Sequence, residues 1–421
     1  MSAQENVKVH VYPLKEKAPF EKPSEMDFLM RFVASERPTT GKRPRLNLGL
    51  VLDRSGSMSG AKLRKAKEAV CYCVDQLFAE DQISITVFDD EVDVIVPTTK
   101  AASRDAIKER IRKVKAGGST ALHAAWVEGA RQVASCADPQ LLNRVVLVTD
   151  GLANVGLTEP EEIIGQAQGL LACGISTSTI GVGNDFNEDL LVPMAEKAGG
   201  NSWFVEGPED FRRIFATELE GLLREVGSKV RLQIKSAPGV EILDLLNDFP
   251  KDINGLYQLP GLLGGEPLDV LVRVKMCGGV PGAFRCFDFD LTWEETGTGK
   301  QFSLSESVSL VLASSEEVAT LEEHAEVCKV RTLMEGARAR RKAMEHLDRG
   351  DYGAASCVMQ SAFASLESIP SAVRDDIVLE QCDQVESLCL LVGNPEERSL
   401  ARKKLAYQSR HVQRTRRERK E

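Results

Sequence analysis

The sequence predicts an α/β domain with a doubly wound, mostly parallel sheet, inserted into an antiparallel β-sandwich and followed by a C-terminal helical region. Three observations predict this order. Continuous apolar runs alternate with helical patterns in the middle of the chain, strands separated by Gly/Pro turns flank them on both sides, and only helical periodicity follows. We expect the sandwich to comprise residues 1–40 and 228–313, the α/β domain residues 44–227, and the helical region residues 314–421.

The first segment contains two predicted strands, "NVKVHVYPL" and "MDFLMRFVA". In the first strand, Val7, Val9 and Val11 lie on one side, which is typical of a strand with one buried face. Two strands are too few to be stable alone. We therefore expect them to pair with later strands such as "LDVLVRVKM" and "FRCFDFDLTW", so that the α/β domain is an insertion within one sandwich.

The central segment contains short β-branched runs, including "LNLGLVLD", "QISITVFDD", "NRVVLVTDG" and "ISTSTIGVG". Between the first two runs, apolar residues recur at steps of three and four, which predicts an amphipathic helix; they are Leu63, Ala66, Val70, Val74 and Leu77. Apolar strands that alternate with such helices indicate a parallel sheet covered on both faces.

The last segment has a helical apolar stripe that includes Ala355, Met359, Ala362 and Leu366. It ends in the basic stretch "RHVQRTRRERKE". We interpret that stretch as a solvated terminal helix in preference to a contact with RNA, an acidic partner or a membrane surface.

Composition narrows the class of protein. The chain of 421 residues has 53 basic and 63 acidic residues, a formal net charge of −10, which disfavours a general nucleic-acid binder. Its ten cysteines contain no C-x-x-C pair, so we expect free thiols in a reducing compartment. The start of the sequence has no apolar signal region, and no apolar stretch is long enough for a membrane span. We therefore predict a cytoplasmic protein.

Three polar groups of the central segment lie at predicted strand ends or in loops beside them. They are "DRSGS" after the first strand, "GGST" before a helix, and "TDG" after the strand "RVVLV". In an open parallel sheet, ligands bind at the carboxyl ends of the strands. These groups supply carboxylates and hydroxyls without histidine or thiolate, a set that suits a hard cation such as Mg²⁺ or Mn²⁺.

The same three motifs, in this order and spacing, resemble the von Willebrand factor type A (VWA) domain, a Rossmann-like fold, and its metal-ion-dependent adhesion site (MIDAS). The resemblance covers the whole central domain and implies that Asp53, Ser55, Ser57, Thr120 and Asp150 hold the metal, which would be Mg²⁺ or Mn²⁺, with Ca²⁺ as a further option. In that family the hydroxyls largely bind the metal directly, the aspartates often act through water, and an Asp or Glu of a partner protein fills the open position.

The VWA domain set into a sandwich is similar to bacterial VWA proteins related to inter-α-trypsin inhibitor heavy chains and to calcium-activated chloride-channel-like proteins. This resemblance implies a non-enzymatic, metal-dependent protein–protein interaction module, which we expect to be a cytoplasmic scaffold or adaptor. Two alternatives stay open: a Mg²⁺-dependent phosphohydrolase, and an accessory subunit of a MoxR-type AAA+ ATPase. Against the hydrolase, a haloacid-dehalogenase-like nucleophile loop requires a second acid where this chain has Ser55.

Several other polar residues have ordinary structural interpretations. We expect Asp89 and Asp90 to be a solvated strand end, His123 to lie on a helix face, and His324 to belong to an amphipathic helix. For Asn154 two interpretations stay open, a turn residue or a residue that supports the metal ligands, and it is not included in the predicted metal site.

Overall fold

The computed structural model describes residues 7–36, 44–138, 140–252 and 254–413. The described residues form two compact units. One contains those within 1–37, 226–295 and 301–420, and the other contains those within 38–225 and 296–300. Residues 1–6 and 37–43 of the predicted N-terminal segment and residues 414–421 of the basic C-terminal stretch lie outside the described part of the chain.

The described part of the chain begins with three strands, β1 (Val7–Pro13), β2 (Lys17–Pro19) and β3 (Ser24–Ala34), which precede the α/β unit. The elements of that unit, in chain order, are β4 (Arg45–Asp53), α1 (Ala61–Gln76), β5 (Gln82–Phe88), β6 (Val92–Lys100), α2 (Arg104–Arg112), α3 (Leu122–Ala134), β7 (Leu141–Thr149), α4 (Pro160–Ala172), β8 (Ile175–Val182), α5 (Glu188–Lys197), β9 (Gly199–Val205) and α6 (Asp210–Arg224).

The six strands of this unit form one sheet in the order β6-β5-β4-β7-β8-β9. All neighbours are parallel except β6, which runs antiparallel to β5 at the edge. The central strands are buried along nearly their whole length, as expected when helices cover both faces. The predicted doubly wound sheet is therefore confirmed.

Two glycines allow helix α3 to approach the middle of the sheet closely. A Cβ at Gly129 of α3 would lie 2.2 Å from Val51 Cγ2 of β4, and a Cβ at Gly49 of β4 would lie 2.6 Å from Val133 Cγ2 of α3. Since real Cβ atoms do not approach so closely, the backbone spacing here depends on the absence of these side chains. This contact fixes α3, whose N-terminal end follows the "GGST" motif.

After α6 the chain returns to the first unit through seven strands: β10 (Glu225–Ser236), β11 (Val240–Leu245), β12 (Tyr257–Gln258), β13 (Leu262–Leu263), β14 (Pro267–Met276), β15 (Gly282–Glu295) and β16 (Gln301–Ala313). One sheet has the order β1-β3-β14-β11, and the other has the order β12-β10-β15-β16-β2, with β13 paired to β10.

The N-terminal strands complete the first of these sheets. β3 pairs antiparallel with β14 from Ser24↔Met276 to Val33↔Pro267, which confirms the predicted pairing of early and late strands. Aromatic side chains join the two sheets, because Phe28 packs edge-on against Phe287 and Phe32 against Phe289. One detail was not predicted: the short strand β2 pairs parallel with β16, so the sandwich is not wholly antiparallel.

The last described part of the chain contains helices α7 (Ser315–Thr320), α8 (Ala325–Asp348), α9 (Tyr352–Glu367), α10 (Asp376–Gly393) and α11 (Arg398–Gln413). Helix α8 packs against the other C-terminal helices and also against the sandwich. Its Val327, Val330 and Met334 pack against Leu29 of β3 and Leu271 of β14. Among the described helices, none combines the length and apolar composition needed to cross a bilayer.

Candidate metal centre

The candidate site lies at the carboxyl ends of two adjacent parallel strands, β4 and β7, beside the loop that precedes α3. β4 ends at Asp53, and a short 3₁₀ turn, Gly56–Met58, leads into α1. β7 ends at Thr149, directly before Asp150. The loop before α3 contains Thr120, and it joins the first loop through backbone hydrogen bonds, including Gly56 N–H to the Gly118 carbonyl at 3.2 Å.

Asp53 is fully buried, and both of its carboxylate oxygens accept a hydrogen bond. Oδ1 accepts from the Ser55 backbone N–H at 2.7 Å, and Oδ2 accepts from the Thr149 hydroxyl at 2.5 Å. Burial raises the pKa of Asp53 to about 6; the nearby charge of Asp150 adds to the rise, and the hydrogen bonds from Thr149 and Ser55 oppose it. A carboxylate held in this way is rigid and costly to ionise without a cation nearby.

A chain of hydrogen bonds connects the two serines to Asp150. The Ser55 and Ser57 hydroxyl oxygens lie 3.1 Å apart, and the Ser57 hydroxyl donates to Asp150 Oδ1 at 2.7 Å. Asp150 is also fully buried, and its second oxygen, Oδ2, accepts from the ammonium of Lys62 at 2.6 Å. The loop after β4 and the loop after β7 thus meet through side-chain oxygens.

Thr120 lies against the loop that follows β7. A Cβ at Gly151 would be 3.1 Å from the Thr120 hydroxyl oxygen, so this hydroxyl is next to the residue that follows Asp150. Asn154 holds the Thr120 backbone on both sides: Thr120 N–H donates to Asn154 Oδ1 at 2.9 Å, and Asn154 N–H donates to the Thr120 carbonyl at 3.2 Å. Of the two interpretations of Asn154, the supporting role fits these contacts with a predicted site residue.

The structure thus brings all five predicted side chains to one edge of the sheet. Asp53, Ser55, Ser57 and Asp150 belong to one hydrogen-bonded group, and Thr120 lies beside it. Across the described residues, no cluster of three or more His, Cys, Asp or Glu side chains is suited to a metal. A metal at this edge would therefore need the hydroxyls as ligands, and such an all-oxygen set fits Mg²⁺.

The prediction for Asp89 was wrong. Asp89 is buried and accepts hydrogen bonds from Arg54 Nε at 3.0 Å and from a terminal guanidinium nitrogen of Arg54 at 3.3 Å. Burial opposes ionisation, but the Glu91 backbone N–H and Arg54 outweigh it and lower the pKa of Asp89. Its backbone carbonyl accepts from Ala121 N–H at 2.7 Å, which ties the strand end to the loop that carries Thr120. This residue fixes two site loops.

The contacts of two further residues of the site have no signal in the sequence, although Thr149 itself belongs to the "TDG" motif. Lys62 is one of several basic residues on α1, and Thr149 is one of several hydroxyl residues at strand ends. Their partners, Asp150 and Asp53, lie 88 and 96 residues away along the chain. Periodicity and local motifs do not report contacts at such separations.

The two histidines lie outside the candidate centre. His123 Nε2 is 2.9 Å from the Gln166 side-chain oxygen on the surface of α3, as expected for a helix-face histidine. His324 is the N-cap residue of α8, and its ring centroid lies 4.9 Å from that of Tyr12. Neither contact suggests metal ligation.

Comparison with known proteins identifies the central domain. Residues 47–217 match the family model of the von Willebrand factor type A domain. The chain is 28% identical over 197 residues to the uncharacterized protein YfbK of Escherichia coli, a match that covers 46% of this chain and 34% of YfbK. It is 26% identical over 220 residues to inter-alpha-trypsin inhibitor heavy chain H2 of Sus scrofa, covering 50% of this chain and 23% of that protein. The matched part thus spans well under half of either relative.

A solved structure extends the likeness beyond the central domain. The von Willebrand factor type A protein from Catenulispora acidiphila superposes with a TM-score of 0.68 over 92% of this chain and 89% of that chain, at 16% identity. At that identity the likeness concerns the fold, and the VWA fold of the central domain is confirmed. VWA domains are generally non-enzymatic and often mediate metal-dependent protein interactions.

Proposed function

We propose that this protein is a divalent-metal-dependent protein-interaction module. In this proposal Asp53, Ser55, Ser57, Thr120 and Asp150 hold Mg²⁺ or Mn²⁺, with Ca²⁺ as a further option, and an Asp or Glu of a partner protein occupies the open position. The observation that supports it most strongly is the hydrogen-bonded group at the sheet edge, which combines two fully buried carboxylates with two serine hydroxyls.

The donor set explains why an acidic partner would be favoured. The metal, when bound, supplies a hard positive charge that prefers anionic oxygen ligands. Asp53 and Asp150 balance the charge of a divalent ion formally, whereas hydroxyl ligands are neutral. Mg²⁺ takes about six oxygen ligands and usually retains water, so a carboxylate from another protein can replace a water and strengthen the contact.

The loop after Asp150 offers apolar surface beside this charge. Leu152 is 54% exposed and Val155 is 37% exposed, although both are large apolar side chains. Contiguous apolar patches that are rimmed by polar residues mark protein-interaction sites. A partner that presents an acidic side chain next to an apolar one would fit this edge.

The geometry of Asp53 supports a binding role over the hydrolase alternative. A nucleophilic aspartate must present one carboxylate oxygen to the substrate. Here Oδ1 is engaged by the Ser55 N–H and Oδ2 by the Thr149 hydroxyl. This arrangement suits a positioned metal-site carboxylate, so we propose that the protein is not an enzyme.

We further propose that the protein acts as a scaffold or adaptor in the cytoplasm. The ten cysteines are all free thiols, and Cys136, Cys173, Cys277 and Cys357 are exposed. Exposed free thiols are typical of proteins from reducing compartments.

Metal binding is tested by titrating Mg²⁺ and Mn²⁺ into the full chain by isothermal titration calorimetry. We expect one site in the wild type and a loss of about 10- to 100-fold in affinity in Asp150→Ala and in Ser57→Ala, since each change removes an oxygen that would bind or orient the metal. Ser59→Ala is the matched control, because Ser59 is exposed and its backbone N–H, which the change keeps, donates to the Gly56 carbonyl. Equal metal binding by Ser57→Ala and Ser59→Ala would contradict the assignment.

Partner binding is tested by co-purification in Mg²⁺ and in EDTA. We expect a partner that is retained by wild type and by Ser59→Ala in Mg²⁺ and lost in EDTA or with Ser57→Ala. Leu152→Ser should keep metal affinity and weaken capture. Capture that is unaffected by EDTA would refute the metal bridge, and phosphate-ester turnover abolished by Asp53→Asn would favour the hydrolase.

A further inference from the structure

A lysine occupies part of the candidate metal centre. Lys62, the second residue of α1, places its ammonium 2.6 Å from Asp150 Oδ2, while Ser57 binds the other oxygen of the same carboxylate. The ammonium also lies near the loop after β8, since a Cβ at Gly183 would be 3.3 Å from it. The Lys62 ammonium therefore belongs to the candidate metal centre.

The contact differs from an ordinary surface ion pair. Asp150 is fully buried, whereas the Lys62 side chain is 28% exposed. Burial of a charged carboxylate without a counter-charge is costly, so the ammonium stabilises Asp150 when no other cation is present.

Neighbouring lysines on the same helix make different contacts. Lys65 pairs with Glu68 and Glu209, and Lys67 donates to backbone carbonyls of Arg112 and Val114. Of these three lysines on α1, Lys62 alone contacts the candidate centre. Its contact is thus a property of this position and not of a generally basic helix.

The formal charges of the centre then have a simple consequence. Asp53 and Asp150 contribute −2 and Lys62 contributes +1, so the centre is −1 without metal and +1 with a divalent ion. Without metal, the Lys62 ammonium supplies the positive charge beside Asp150. With metal bound, the same ammonium repels the divalent ion.

We propose that Lys62 is a built-in competitor of the divalent ion, which lowers metal affinity and makes the loaded centre cationic. This inference rests on the proposed function and extends it to the partner. A centre with a net charge of +1 selects an anionic ligand, and a neutral polar side chain would leave that charge uncompensated. Lys62 is thereby a specificity-determining residue that acts on both the metal and the partner.

The test compares wild type, Lys62→Met and Lys62→Arg, with Lys65→Met as the matched control that removes a charge from the same helix. Mg²⁺ and Mn²⁺ affinities are measured by calorimetry on the full chain. Removal of a like charge beside a partly buried dication should raise metal affinity roughly tenfold or more in Lys62→Met. Lys62→Arg and Lys65→Met should stay within about threefold of wild type, because the first keeps the charge and the second lies outside the centre.

Thermal unfolding in EDTA and in saturating Mg²⁺ gives an independent readout. In EDTA, Lys62→Met should unfold at a lower temperature than wild type, because Asp150 has lost its counter-charge. Saturating Mg²⁺ should reduce or reverse this difference. Circular dichroism establishes that each variant is folded, and Lys62→Gln replaces Lys62→Met if the latter is not.

The outcomes separate this inference from the proposed function. If wild type binds metal and Lys62→Met binds it with equal or lower affinity, the competition is refuted while the proposed function stands. A wild type that binds no divalent ion overturns both.

Discussion

A buried ion pair in the α/β unit allows a quantitative prediction. Glu218 on α6 is buried and its carboxylate accepts four hydrogen bonds: from Arg144 at 3.0 Å, Ser178 at 2.5 Å, Asn201 at 2.6 Å and Trp203 at 2.7 Å. These donors come from strands β7, β8 and β9. The carboxylate therefore connects one helix to three adjacent strands of the sheet.

The change Glu218→Ala removes the carboxylate and leaves its donors behind. Removing one partner of a buried ion pair costs about 3–5 kcal/mol, because the other charge stays buried. Arg144 retains a contact of 3.6 Å with Glu225, which moderates the loss. We expect the free energy of unfolding to fall by about 3–4 kcal/mol, which for a domain of this size is a decrease in Tm of roughly 6–16 °C.

The assay is guanidinium unfolding of the full chain, followed by tryptophan fluorescence. Glu209→Ala is the matched control: Glu209 also pairs with a basic residue, Lys65 at 3.1 Å, but its side chain is 84% exposed. An exposed pair contributes about 0–1 kcal/mol, so this variant should be nearly as stable as wild type. Equal losses in the two variants would refute the reasoning.

The same group has a defined dependence on pH. Burial opposes ionisation of Glu218, but Arg144 and the hydrogen bonds from Ser178, Asn201 and Trp203 outweigh it and hold the pKa below its ordinary value of 4.5. A carboxyl whose pKa is lowered on folding contributes stability above its unfolded pKa and loses it as the pH falls through the folded pKa. The stability difference between wild type and Glu218→Gln should therefore be full at pH 7 and should narrow below about pH 4.5.

Two other predictions concern the site loop and the thiols. Asn154→Ala should weaken Mg²⁺ binding up to about tenfold in calorimetry, because it removes the acceptor of the Thr120 backbone N–H; an unchanged affinity would show that this contact does not position Thr120. Cys73 and Cys286 are fully buried and burial raises the pKa of both thiols, whereas Cys136 is exposed. A thiol reagent should modify Cys136 in the folded protein and reach Cys73 only on unfolding, and equal rates would contradict the described burial.

Local sequence patterns predicted most of the fold. The run "LNLGLVLD" predicts a strand buried on both faces, and β4 lies in the middle of the parallel sheet. Alternation in "NVKVHVYPL" predicts a one-sided strand, and β1 lies at the edge of a sandwich sheet. These predictions succeed because the burial of a strand depends on its own side chains.

The sequence also indicated which side chains meet at the candidate metal centre. Parallel strands that are neighbours end at the same edge of the sheet, so polar residues after β4 and β7 must lie close together. Their order and spacing resembled a known family, and the comparisons confirm the VWA fold. The role of the five residues as metal ligands is our proposal, which metal titration of the serine and aspartate variants tests.

Only the tertiary structure determines which residues contact the side chains of the candidate metal centre and which charges lie beside them. The ammonium of Lys62 beside Asp150, the pairing of Arg54 with Asp89, and the packing of α8 on the sandwich each join residues far apart in the chain or on different elements. Side-chain type and periodicity specify that a residue is basic or apolar, but they do not specify which distant group it faces. The partner of each charged side chain is determined when the elements pack, because a charge that becomes buried is costly unless an opposite charge or a hydrogen-bonding group lies beside it.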